Sequence, residues 1–138
     1  MNSLKTKKYK FNKLVRDIVF YNLNDQCLFI KESVISDKSD QQNILKLKLI
    51  EEAEEVVNAS THQEMIVELA DCLEVIRAIA KHIGVSYEEV ELSRLDKYKE
   101  KGGFDHYKFI NYVECEPNSS VDEYCKSSPS KYPEISDF

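Results

Sequence analysis

The chain has 138 residues, with 19 Lys and Arg against 25 Asp and Glu, four Cys, three Gly, three Pro and no Trp. That length suits one domain, able to bury about 68% of the surface its unfolded chain exposes without needing a disulfide or a metal to fold. A net charge of −6 argues against a protein that coats a nucleic acid polymer, no apolar run approaches the ~20 residues of a membrane span, and so few Gly and Pro speak against a sandwich or barrel of many tight turns.

Residues 1–8 are a polar, Lys-rich arm. The opening MNSLKTKKYKFNK has charge but no apolar stretch of the kind a secretory signal carries. The expectation is therefore a cytoplasmic protein with reduced thiols at Cys27, Cys72, Cys115 and Cys125. No two of these have CxxC spacing, and there are only three His, which leaves a zinc site poorly supported. Residues 9–38 mix short apolar runs with polar breaks. They suggest a helical turn near 16–22 and a short strand at 27–35.

Residues 40–101 carry most of the pattern. Asp40 can cap a helix through LKLKLIEEAEEVV, with Leu45, Leu49, Ile50, Val56 and Val57 as its apolar stripe. Asn58-Ala-Ser-Thr61 breaks it, and Ser60 or Thr61 can cap the next helix. There Met65, Leu69, Cys72, Ile76, Ile79 and Ile83 recur at alternating steps of four and three, an a/d seam. Gly84 is a stop. Ser86-Tyr-Glu-Glu89 reads as a capping box opening a third helix. Lys97, Lys99 and Lys101 crowd the end of that helix, where its dipole favours cations, and Gly102-Gly103 ends it. Residues 104–113 (FDHYKFINYV) show a strand-like aromatic alternation, and 114–138 read as a polar tail or loosely packed extension. Two long antiparallel helices and a short third do not close a core alone. The expected fold is all-α, a helical hairpin plus a third helix completed by oligomerisation, with short strands at most at its periphery.

The chemistry lies in the acids. Glu51, Glu52, Glu54 and Glu55 sit on the first long helix, and Glu68 and Asp71 on the second. Glu52 and Glu55 share a face at i,i+3, as do Glu68 and Asp71. The twelve residues between the two pairs suffice to finish one helix, turn, and start an antiparallel partner. The pairs then face each other at the border of the apolar stripe. Four carboxylates so placed repel one another unless a cation intervenes. Oxygen donors without His or Cys point to a hard ion, Mg²⁺ or Mn²⁺. A Glu-rich helix is also, by itself, what a solvated face looks like.

Four segments in order resemble those of the MazG-like all-α nucleoside triphosphate pyrophosphohydrolases, a superfamily that includes phosphoribosyl-ATP pyrophosphohydrolase. They are FNKLVRD at 11–17, KLIEEAEEV at 48–56, ELADCLEVIRAI at 68–79 and KYKEKGGF at 97–104. The resemblance covers residues 9–113, taken as the domain, between the 1–8 arm and the 114–138 tail. It implies a dimer or tetramer that uses Mg²⁺ to cleave the α–β phosphoanhydride of (d)NTPs, giving a nucleoside monophosphate and pyrophosphate, with house-cleaning of non-canonical nucleotides as the role. By position it makes Glu52, Glu55, Glu68 and Asp71 the metal ligands. Glu51 then serves as ligand or water-orienting base, and either Glu51 or Glu55 accepts the water proton. Lys97 and Lys101 fall at phosphate-contacting positions, although dipole complementation explains them as well. Lys13 and Arg16 are further phosphate contacts, with Asp17 holding Arg16, or else solvated cations near a helix start. The alternatives are phosphoribosyl-ATP as substrate, or a helical dimer that binds nucleotide or metal without turnover.

Overall fold

The computed structural model describes residues 5–136, so the first four residues of the 1–8 arm lie outside the described part. Among the described residues five helices follow one another: α1 (Asp17–Gln26), α2 (Lys38–Asn58), α3 (His62–His82), α4 (Tyr87–Lys101) and α5 (Ser120–Lys126). The protein is all-α, and among the described residues there is no strand. The peripheral strands expected at 27–35 and 104–113 are therefore absent. Alternation gives a segment two faces, but a strand also needs a neighbour for its N–H and C=O groups. No such neighbour exists here, and Phe104, Tyr107 and Phe109 stand out into solvent.

The chain divides into two compact units, the first running to Glu100 and the second starting at Lys101. Within the first unit, α2 and α3 form an antiparallel hairpin and, among the described residues, are the pair of helices that pack against each other. Asp37, rather than Asp40, caps α2, its side chain accepting the Asp40 N–H at 3.0 Å. Thr61 caps α3 through the Glu64 N–H, and the Glu64 carboxylate takes the Ser60 N–H in return, at 2.8 Å. These local bonds leave three residues, Ala59, Ser60 and Thr61, to reverse the chain. At the open end the imidazole Nε2 of His82 lies 3.1 Å from the Lys38 carbonyl oxygen. That pair and the Glu52–Glu68 pair straddle Ser60 symmetrically, which fixes the hairpin register. A Schellman turn ends α3: Gly84 (φ 81°) donates to the Lys81 carbonyl and Val85 to the Ala80 carbonyl. The capping box at Ser86 and Glu89 then opens α4.

The hairpin seam matches the expected one only in part. Of the expected positions Cys72, Ile76 and Ile79 are half-buried, whereas Met65, Leu69 and Ile83 are exposed, and Glu68, Asp71, Val75, Ala78, Ala80 and His82 are the other half-buried or buried positions of α3. α3 is apolar over an arc wide enough for two stripes, and α2 covers only one. Packing is thin: Val75 (7% exposed) and Ala80 (3%) are the buried residues among those described. Ile66, Leu69 and Leu73 on α3, with Leu47, Ile50 and Val57 on α2, form exposed apolar stripes at helical spacing. No described helix is long and apolar enough to cross a membrane.

In the second unit the expected loose tail contains α5. Ser119 caps it by accepting the Asp122 N–H at 3.3 Å, and the Asp122 carboxylate takes the Asn118 N–H at 2.7 Å and the Lys126 ammonium at 2.9 Å. The Tyr124 and Tyr132 hydroxyls meet at 3.2 Å, their rings 5.3 Å apart.

Candidate metal centre

The hairpin register sets Glu52 of α2 against Glu68 of α3, and Asp71 lies one turn further along α3. One carboxylate oxygen from each of Glu52, Glu68 and Asp71 lies within 4.8 Å of the other two. All three side chains are half-buried in the seam rather than at its border. Two helices are needed to build the group, and the capped three-residue reversal is what brings them into register.

The charges here are unevenly balanced. Lys48 Nζ sits 3.3 Å from both Glu51 and Glu52, and the Lys48 and Glu52 side chains are 14% and 13% exposed. Arg16, at the extended residue that precedes α1, donates from Nη2 to Oδ1 of Asp71 at 2.7 Å. Lys13 lies 3.6 Å from Glu51. Glu68 has no cation paired with it among the described residues. Its partial burial pushes the carboxyl above the ordinary glutamate value, and the neighbouring charges of Asp71, Glu55 and Glu52 push it further. Burial and the charges of Glu52, Asp71 and Glu68 also raise the Cys72 thiol, which disfavours the thiolate.

Of the residues singled out from sequence, Glu52, Glu68 and Asp71 come together. Glu55 is exposed and outside the three-oxygen group, yet close enough to Glu68 to act on it electrostatically. Glu51 is engaged by two lysines instead. Lys13 and Arg16, read as phosphate contacts, are found on carboxylates, and Arg16 pairs with Asp71 rather than with the adjacent Asp17. Lys97 is exposed in α4 with no ion pair among the described residues, and Lys101 closes that helix where the second unit begins. At the start of α4 the Tyr87 ring centre lies 4.6 Å from the Arg77 guanidinium of α3. Lys48 is the participant that sequence reasoning missed. Its i,i+4 spacing to Glu52 was the available signal.

The donor set fits a hard divalent cation. Carboxylate oxygens suit Mg²⁺ and Mn²⁺. Compared with known proteins, the chain matches no family model, no curated protein and no solved structure.

Proposed function

We propose that the chain is an Mg²⁺-dependent nucleotide pyrophosphohydrolase that cleaves the α–β phosphoanhydride of (d)NTPs to a nucleoside monophosphate and pyrophosphate. One observation carries this reading: three carboxylates from two helices converge in a packed seam, and Glu68 among them lacks a cation. Placing like charges in a seam is costly for a fold, and a divalent ion relieves that cost. The four-segment resemblance to MazG-like pyrophosphohydrolases supplies the reaction. In this reading Glu52, Glu68 and Asp71 hold the ion, with Mn²⁺ as a substitute, and Glu55 completes the set or accepts the proton of the attacking water. When bound, the ion would neutralise phosphate charge and acidify water. Lys48 holds Glu52 in place through their ion pair. Lys97 is assigned to the substrate's phosphates, and Lys13 to the same task once it leaves Glu51.

The exposed apolar stripes on α2 and α3 support a second copy of the chain as their cover. A homodimer or homotetramer would turn the thin hairpin into a bundle with a shared core. The cytoplasm is the assigned compartment.

A non-catalytic binding role has one observation in its favour. Glu51, one of the two candidate bases, is held by Lys13 and Lys48. Product analysis over a panel of canonical and modified NTPs and dNTPs with Mg²⁺ separates the readings. Monophosphate plus pyrophosphate, lost in Glu52→Gln, in Asp71→Asn and on chelation, is the expected result. Mg²⁺ binding by folded protein without turnover of any nucleotide would move the assignment to phosphoribosyl-ATP or to binding alone.

A further inference from the structure

We infer that Arg16 is a positioning residue for the carboxylate group: it fixes the orientation of Asp71 and thereby tunes cation affinity. This inference rests on the metal-binding reading above. The Arg16–Asp71 bond spans 55 residues of sequence and, at 2.7 Å, is as short as charge-assisted N–H···O bonds usually are. It engages Oδ1 alone, and an ionised carboxylate has acceptor sites on both oxygens. Asp71 can therefore keep Arg16 on one oxygen while offering the other to a cation.

The approach of Arg16 is built by the preceding chain. Asn12 adopts the left-handed conformation (φ 46°), a turn that Asn tolerates well. The segment then touches both helices of the hairpin, α2 through Lys13 on Glu51 and α3 through Arg16 on Asp71. The Arg16 side chain is 55% exposed, and exposed pairs of this kind add little to stability. What remains for the contact is orientation. Ligating carboxylates are commonly held by such outer partners, and their loss weakens metal binding about 10–100-fold. A positive charge beside a ligand also repels the incoming ion, so the two possible roles of Arg16 predict opposite signs.

The test is Mn²⁺ binding to the full-length chain, followed by the loss of the free-ion EPR signal, for wild type, Arg16→Gln and Arg16→Lys. Circular dichroism checks the fold of each. The expected result is about 10–100-fold weaker binding in Arg16→Gln, with partial recovery in Arg16→Lys, which keeps one charge-assisted donor, and nearly unchanged melting of both variants in chelator. Unchanged or tighter Mn²⁺ binding in Arg16→Gln overturns the inference, because Arg16 would then be no more than a competing counter-ion. A wild type that binds no Mn²⁺ at millimolar concentration overturns the metal reading itself, and this inference with it.

Discussion

Asp122 in the second unit and Glu68 on the hairpin are both helix carboxylates, and their surroundings push them in opposite directions. Asp122 is met by the Lys126 ammonium and the Asn118 N–H, which hold its carboxyl below the ordinary aspartate value. Glu68 is met by partial burial and by Asp71, Glu55 and Glu52, which push it up. The contrast extends to packing. α5 has its capping serine, its salt bridge and its tyrosine pair within the second unit, whereas the hairpin turns acids into its seam and leaves apolar stripes outside. A carboxylate surrounded by donors works for the fold. A carboxylate surrounded by carboxylates works against it, and its retention calls for another explanation, which a bound cation supplies.

The largest expected effect comes from neutralising the unsupported acid. Glu68→Gln should reduce pyrophosphate release more than ~100-fold, a loss exceeding that typical of an outer-sphere partner, and should raise the melting temperature in chelator. A folded-state pKa raised above the unfolded value means that the ionised form is the less favoured one in the fold. Wild-type stability without metal should therefore fall as pH rises above 4.5, the ordinary glutamate value, as the folded state gives up its extra proton. Glu68→Gln should lose that slope. Mg²⁺ should reverse the order, stabilising wild type more than the variant. A variant that melts lower than wild type in chelator would break the comparison, because Glu68 would then be supporting the fold after all.

A smaller effect is expected on the outer apolar face. Leu69→Lys places a charge within the exposed α3 stripe. If a second copy covers that stripe, the substitution should weaken self-association by about 2 kcal/mol, roughly 30-fold, as truncation of an interface hot spot does. Sedimentation should show monomer where wild type shows dimer or larger, with helix content kept. A wild type that is monomeric at high concentration would remove the second copy from the account and leave the stripe bare.

The parts of this structure that were legible in the sequence are those decided within a few residues. The Thr61 cap, the Gly84 stop and the Ser86–Glu89 box are each written in four or five neighbouring positions, and each forms as expected. The i,i+3 acid pairs and a twelve-residue spacing pointed to a meeting of Glu52, Glu55, Glu68 and Asp71, of which the structure groups Glu52, Glu68 and Asp71 and leaves Glu55 outside. The choice of seam was not legible, because α3 is apolar on two stripes and only the partner helix selects between them. Nor was the destination of Arg16, since Asp17 beside it and Asp71 far along the chain are equally good acceptors until the hairpin exists. Residues 104–113 misled for a related reason: alternating aromatics state a preference, but the partner that would satisfy a strand is absent among the described residues.

The smallest expected effect tests the other side of the comparison. A seven-residue helix such as α5 is too short to persist on its own propensity, so its caps must carry it. Ser119→Ala removes the acceptor for the Asp122 N–H and should weaken α5 by about 1 kcal/mol, seen as faster hydrogen exchange across Ser120–Lys126 in the full chain. Asp122 adds a pH dependence of the opposite sign to that of Glu68. Its folded-state pKa is depressed, so its contribution is present above 3.8, the ordinary aspartate value, and is lost as pH falls through the lower folded value. Asp122→Asn should flatten that acid limb while leaving Ser119 as a cap. Exchange in α5 that ignores both substitutions would mean that the helix is held by something other than its own donors, and the contrast with Glu68 would lose its reference point.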